Sequence, residues 1–581
     1  MRNAAVVLWP YYKRYRRGLV LGFGSLLLKD VFGAAQPLII REGVDTLTRA
    51  FSVSTVLKLT AALIVLSLLK GFFQYWMRVI IIGISRDIEY DLRNDLFGKL
   101  VTLSADFFAK FRTGDIMARS TNDLSAVRMI LGPGVMYLFE TGLTLILALI
   151  VMMSVDWKLT LIALAPAPFV SLAVIFFGRK IHSRFEAIQA MFSDISSRIQ
   201  EHLAGVRVVR AYVQEKHEVA QFETMNKAYI AQNLRLALLS GTFNPLLQSL
   251  IGITFIVVLY AGGARLLTHQ ISLGSFVMFN TYMGMLIWPM IAMGWIANLV
   301  QRGTASLGRI REILDQTPSI QAPPGVAATL PEPVRGELEF RNVSLEFDSR
   351  AALKGLNLRI EAGSTVAIVG HTGSGKTSLV SLIPRLQDPT SGEVLLDGIP
   401  VRTLDPADIR RHIGVVPQET FLFSTTIAEN IAFGVPGATA DQIREAAEIA
   451  GLGPDIASFP NGLGTVIGER GITLSGGQKQ RTAIARAVLR NPRLLILDDA
   501  LASVDTLTEE TILSALARIM HGRTTILISH RVSTIRMADR IFVLEHGAIA
   551  EQGSHEELLK AGGYYADLYR RQLLEEELES I

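Results

Sequence analysis

The stretch TVAIVGHTGSGKTSL, residues 365–379, decides how the C-terminal half of this chain folds. Thr365 to Val369 are mostly apolar and mostly β-branched, the pattern of a buried strand. Gly370, His371, Thr372, Gly373, Ser374, Gly375, Lys376 and Thr377 then satisfy the spacing G-x-x-x-x-G-K-T, and Ser378 and Leu379 open a helix. In that strand-loop-helix setting the glycines let main-chain N–H groups converge on phosphate oxygens. Lys376 reaches the β and γ phosphates of ATP, and the Thr377 hydroxyl binds Mg²⁺. The expectation is an α/β P-loop nucleotide-binding domain.

Downstream, LLILDDALASVD (494–505) is an aliphatic strand ending in two aspartates. An acid at the end of a strand that follows a phosphate loop is placed to hold Mg²⁺, commonly through water, which assigns Asp498 to the metal. Asp499 then stands where a base for hydrolysis is expected. Upstream, strands and helices alternate from about Gly336, giving a nucleotide-binding domain over 336–568. Before it, residues 315–335 are rich in proline and small residues, which suits a stiff extended linker.

The N-terminal half has a different composition. Half of the 581 residues are hydrophobic and 19% are charged, and the mean hydropathy is +0.35, so part of the chain lies in lipid. A net charge of +4 gives no case for nucleic acid. There is no cysteine, which excludes disulfides and thiolate chemistry. Residues 1–17 place an apolar patch before Lys13, Arg14, Arg16 and Arg17. A secretory signal has the reverse order, so this reads as an interfacial segment.

Six apolar segments follow, near 18–40, 55–80, 134–155, 159–178, 240–266 and 273–300. Each approaches the ~20 residues that cross a bilayer as a helix. Lys and Arg concentrate in the N-terminal stretch and in the loops 78–128 and 179–235, which places both termini in the cytoplasm. Ile84, Ile88, Leu92, Leu96 and Leu100 recur every four residues, so the second helix continues out of the bilayer, ~70 Å in all. Residues 104–115 and 211–222 break the long helices and are expected to form short transverse ones. Pro166, Pro168 and Pro289 are expected to kink their helices. Lys29 and Asp30 lie roughly 18 Å into the first helix, and Glu140 lies in the third. They serve either a polar cavity or a structural contact, and both readings stand.

The stretch ITLSGGQKQRTAIARAVLRNPRLLILDD (472–499) contains LSGGQ at 474–478. It resembles the signature of ATP-binding cassette (ABC) proteins, and six spans followed by one such domain resemble an exporter half-transporter over essentially the whole chain. The resemblance implies an α-helical six-span transmembrane domain over 18–314 fused to the P-loop domain, with coupling helices near 104–115 and 211–222. It implies that Phe347 stacks on adenine, that Gln418 touches Mg²⁺, that Asp505 crosses a dimer interface and that His530 senses the γ-phosphate. It also implies that Ser475, Gly476, Gly477 and Gln478 bind the ATP held by a second chain. In TVIGERG (465–471), Val466 replaces the glutamate usual in exporters.

In this family the residue at Asp499 is usually glutamate. Aspartate is one methylene shorter, which leaves its oxygens short of the attacking water by more than an ångström. With LSGGQ intact, the chain is similar to the degenerate-site half of heterodimeric exporters, as in many bacterial pairs and the transporter associated with antigen processing. The partner half-transporter then carries glutamate at the position of Asp499. A homodimer in which Asp499 still works is the alternative, and a nucleotide-gated channel or regulatory subunit is the competing class. No peptidase domain precedes the first span, and importers usually separate membrane and nucleotide parts. The expected location is the cytoplasmic membrane, in contact with its lipids. Phe276, Phe279, Tyr282 and Trp288 of the sixth span suit hydrophobic drugs, lipids or peptides, and helix packing explains them equally well. The tail 569–581 is expected to be a solvated helix or to meet a partner's tail.

Overall fold

The computed structural model describes residues 2–49, 52–323, 328–347, 350–468, 474–502 and 506–579. They form two compact units: residues 1–101 with 111–316, and residues 102–110 with 317–581.

In the first unit, six helices are long and apolar enough to cross a membrane: Arg16–Arg49, Val53–Leu100, Thr113–Val155, Trp157–Ala204, Glu215–Leu267 and Leu273–Leu314. The second runs unbroken for 48 residues, and its stripe Ile84, Ile88, Leu92 and Leu96 is buried. The N-terminal segment is a helix, Arg2–Arg14, that is strapped to that extension. Tyr11 donates to Asp95 at 2.6 Å, and Arg14 and Tyr15 donate to Asp91 at 3.0 and 2.9 Å.

The third span contains two wide turns, Arg119–Asp123 and Ile130–Gly134. The second holds Pro133, which has no N–H to give a regular turn. Beside the first, Arg119 donates to Glu312 at 2.7 Å and Asp123 accepts from Arg309 Nε at 2.8 Å, which ties the third span to the end of the sixth. The fourth span is interrupted at Ala165 and Pro166, between Trp157–Leu164 and Ala167–Ala204. Pro168 falls in the first turn of the second piece, where a missing N–H costs nothing. Pro289 lies inside a helix that continues past it.

The short helix expected over 211–222 is displaced toward the N-terminus. It spans Val206–Ala211, and residues 215–222 are the first turns of Glu215–Leu267. Residues 104–115 divide into Ala105–Lys110 and the start of Thr113–Ala118. The first piece belongs to the C-terminal unit, where Ser104 Oγ lies 2.6 Å from Ser319 Oγ.

The rest of the C-terminal unit carries two sheets. Strands β1 (Leu338–Phe347), β2 (Arg350–Ile360), β4 (Ser391–Leu396) and β5 (Ile399–Pro400) form an antiparallel sheet in the order β2-β1-β4-β5. Strands β3 (Thr365–Val369), β6 (Ile413–Val416), β7 (Leu494–Asp498), β8 (Thr524–Ile528), β9 (Arg540–Glu545) and β10 (Ala548–Gly553) form the order β10-β9-β3-β8-β7-β6. All its pairings are parallel except β9 with β10. β3, β7 and β8 are buried along their whole length, which is why aliphatic residues dominate them, with Thr365, Thr524, Thr525 and Asp498 at their ends. One core lies between the two sheets and contains Phe340, Leu379 and Ile496. A second packs the helix Gly476–Leu489 and the aliphatics of 443–452 against the other face. Asp397 fixes the linker's end by accepting the N–H groups of Arg335, Gly336 and Glu337 at 2.8–2.9 Å.

Candidate ATP site

The parallel order β3-β8-β7-β6 makes four successive loops leave the sheet at one edge, its carboxyl edge. Ile368, Ile528 and Asp498 stand in one register row, and Val416 pairs with Leu497 one step back. The four loops carry the phosphate loop, His530, Asp498 with Asp499, and Gln418, so residues scattered over 160 positions converge where α/β sheets bind ligands.

The phosphate loop is shaped by its glycines. Gly375 has φ 105°, and a Cβ there would meet the Ala352 carbonyl at 2.6 Å. At Gly370 a Cβ would lie 2.2 Å from the Leu544 carbonyl. Lys376 begins the helix Lys376–Leu382 and donates back to the carbonyls of Gly370 and His371 at 2.8 and 3.0 Å. Burial pulls its ammonium below the ordinary lysine value, while Asp498 and Asp499 act the other way. Burial pushes the Asp498 carboxyl above its usual range; the Thr377 hydroxyl bonded to it opposes that, and Asp499 adds to it. Ser374 Oγ is buried without a partner. A desolvated cation, an unpartnered hydroxyl and a loop of backbone amides fit the phosphates of ATP. A buried Asp498 bonded to the Thr377 hydroxyl, with the half-buried Asp499 next to it, fits a divalent cation.

Phe347 ends β1 with 41% of its surface exposed, which is free for stacking. Gln418 is exposed just past β6, and His530 is exposed just past β8. His371, Thr372, Gly373 and Thr377 are exposed along the loop, and Ser378 is half-buried. Asp499 is half-buried, and its main chain is tied on both sides. Its N–H donates to the Ile528 carbonyl at 2.8 Å, and its own carbonyl accepts from Gln480 at 3.3 Å. Its φ is 51°, a left-handed turn that aspartate tolerates.

Ser475, Gly476, Gly477 and Gln478 are not joined to the loop. Ser475 caps the helix Gly476–Leu489 in a reciprocal capping box with Gln478, and Gln478 also donates to Asp455 at 2.9 Å. Among the described residues no hydrogen bond links 475–478 to 370–378. Asp505 lies outside the described residues, as do 469–471 of the exporter segment. Val466 is 63% exposed.

The structure adds contacts that the sequence does not advertise. The C-terminal helix spans Tyr564–Glu579 and begins before the expected tail. The Tyr564 ring meets the His371 ring edge-on, with centroids 4.5 Å apart, and Gln572 accepts the Val532 N–H at 2.8 Å, two residues beyond His530. Glu509, 2% exposed, accepts from Arg531, Ser533 and Thr534. The helix's first turns and Gln572 are packed on the site's back, whereas Arg570, Arg571, Leu573 and Leu574 of the expected tail are exposed, as a solvated helix would have them. In the membrane unit, Lys29 bridges Asp30 at 2.8 Å and Glu140 at 2.5 Å.

Residues 19–290 match the ABC transporter transmembrane region family, and residues 353–502 match the ABC transporter family. The chain is 37% identical over 575 residues to the "Probable multidrug resistance ABC transporter ATP-binding/permease protein YheI" of Bacillus subtilis (strain 168), covering 97% of this chain and 96% of that one. It belongs to the ABC transporter family. Like other members with this arrangement, this ABC transporter is an ATPase-coupled transporter that binds ATP, built from six membrane-spanning helices fused to a nucleotide-binding domain. It is also 36% identical to the "Multidrug resistance-like ATP-binding protein MdlA" of Escherichia coli (strain K12), with 100% and 98% coverage. Identity is 36% to the "ATP-dependent lipid A-core flippase" of Syntrophus aciditrophicus (strain SB), with 98% and 94% coverage. The solved structure of a bacterial Atm1-family ABC exporter with ATP bound shares its fold at a TM-score of 0.78 and 29% identity, covering 96% of this chain and 98% of that one.

Proposed function

We propose that this ABC transporter exports hydrophobic or amphipathic compounds (drugs, lipids or peptides) across the cytoplasmic membrane, as the slow-site half of a heterodimer. The names of its relatives, which refer to multidrug resistance and a lipid flippase, support the substrate class. The observation that carries the slow site is Asp499 on a pinned backbone. A base must come within about 2.6–3.2 Å of the proton it takes. With its N–H held by Ile528 and its carbonyl held by Gln480, the main chain has little freedom to advance by the missing methylene, about 1.5 Å of bond length.

ATP binding does not need that base. Ser374, Lys376, Thr377 and the loop amides hold the phosphates, Thr377, Asp498 and Gln418 hold Mg²⁺, and Phe347 holds the adenine. The signature residues 475–478 serve the partner's ATP, and the partner supplies glutamate at the position of Asp499. ATP stabilises the closed nucleotide domains, closure favours the outward-facing spans, and hydrolysis at the partner's base resets them. One observation favours a homodimer instead: His530 is present and exposed at the same edge.

The test is ATP hydrolysis by this chain purified alone in nanodiscs, beside Asp499→Glu. The expected result is a nearly inactive wild type and a variant faster by ~10²- to 10⁴-fold, the usual worth of a positioned base. Ordinary turnover by the wild type favours the homodimer.

A further inference from the structure

The membrane unit holds a charged cluster that the ATP chemistry does not use. Lys29 and Asp30 are 4% and 5% exposed in the first span. Lys29 Nζ contacts one oxygen each of Asp30 and Glu140, and Thr144 donates to that same Asp30 oxygen at 3.2 Å. The second Asp30 oxygen is buried with no hydrogen-bond partner. One lysine therefore serves two carboxylates, and an acceptor is left open. Such a group is costly unless a donor arrives.

The cluster lines a cavity of about 240 Å³ between the first, second, third and sixth spans, with Lys70 and Gln74 on its wall. Lys70 turns its ammonium toward Gln36 at 3.4 Å, so the open carboxylate oxygen keeps its demand for a donor. Thr141 and Pro289 are shared with an apolar cavity of about 900 Å³ that Leu138, Leu145, Met293 and Ile296 help to line. A polar recess, with two lysines and two carboxylates in its lining, thus opens beside an oily one.

We propose that this recess recognises a protonated amine that carries at least one N–H, with the ligand's apolar body in the adjoining cavity. The ammonium N–H donates to the open oxygen of Asp30, a residue of the cavity's lining, while the other oxygen stays with Lys29 and Thr144. Positive charge alone is not enough, because a quaternary ammonium has no proton to give. The inference rests on the export reading and narrows its substrate class.

The test is binding, without ATP, to the full chain in nanodiscs. Tryptophan fluorescence is titrated with decylamine, decyltrimethylammonium and decanol, and protein-free nanodiscs are subtracted for membrane partition. Decylamine is expected to bind about tenfold or more tightly than the other two, as one charge-assisted hydrogen bond predicts, and Asp30→Asn is expected to erase that preference. Equal binding of the three by the wild type overturns the proposal whether or not the variant folds, and so does a preference that survives in a folded Asp30→Asn. Because no ATP is used, a chain that fails to pump but prefers decylamine upholds the site. A chain that pumps without that preference upholds export and loses the site.

Discussion

Gly375 shows how much of the ATP site is set by single residues. Its φ of 105° is strained for any L side chain, and a Cβ would press on the Ala352 carbonyl at 2.6 Å and on Leu353 at 3.0 Å. Backbone strain of this kind costs about 1–3 kcal/mol. Gly375→Ala is expected to weaken ATP binding by about tenfold or more while far-UV circular dichroism stays unchanged, because β3 and its neighbours do not depend on the loop. Isothermal titration with Mg-ATP checks it, and wild-type affinity in the variant would contradict the cradle. The strand-loop-helix at 365–382, the aliphatic strand ending at Asp498 and the capped helix that begins at Gly476 were legible because each is a short run with fixed spacing. The neighbours of Lys29 were not. Glu140 is 111 positions away, and a one-dimensional pattern records which helix face is apolar but not which two faces meet.

Elements were legible by type and less so by boundary. The second transverse helix was expected at 211–222 and lies at Val206–Ala211, because Glu215 and Glu218 are acids in a helix's first turn, where the dipole favours them. The break sits before those charges, at Val213 with φ 55°, without the glycine or proline that usually marks such a turn. The tail was read from Tyr569 onward, after Tyr565 and Leu568, the apolar residues that anchor it to the core. Its Gln572 is a positioning residue for the loop after β8. Gln572→Ala removes the acceptor for Val532 N–H, worth about 1 kcal/mol. In the Asp499→Glu background kcat is expected to fall severalfold with KM for ATP unchanged. Gln572→Glu, which keeps the oxygen, is expected to restore it. A uniform loss in both variants, or a change in KM alone, assigns the tail to general stability instead.

At the scale of the whole molecule, the proposed function divides one chain's ATP chemistry between two places. The phosphate loop and Asp498 share one sheet edge, whereas Ser475 heads a helix that, among the described residues, makes no hydrogen bond to that loop. The proposed heterodimer therefore makes the two halves of this chain unequal: its loop serves the slow site, and its signature serves the partner's fast one. Two substitutions separate the cases. Ser475→Asp keeps an N-capping carboxylate for the Gln478 N–H, but sets a negative charge where the partner's γ-phosphate must sit. Lys376→Ala removes a charge-assisted contact to this chain's own ATP, worth about 1.5–3 kcal/mol of affinity. Each is assayed for ATP turnover in the complex isolated with its natural partner. In a heterodimer, Ser475→Asp is expected to abolish turnover while Lys376→Ala leaves most of it, because the base that works lies on the other chain. In a homodimer every site contains both residues, so the two variants must fall together. Equal losses would therefore return Asp499 to the role of a working base.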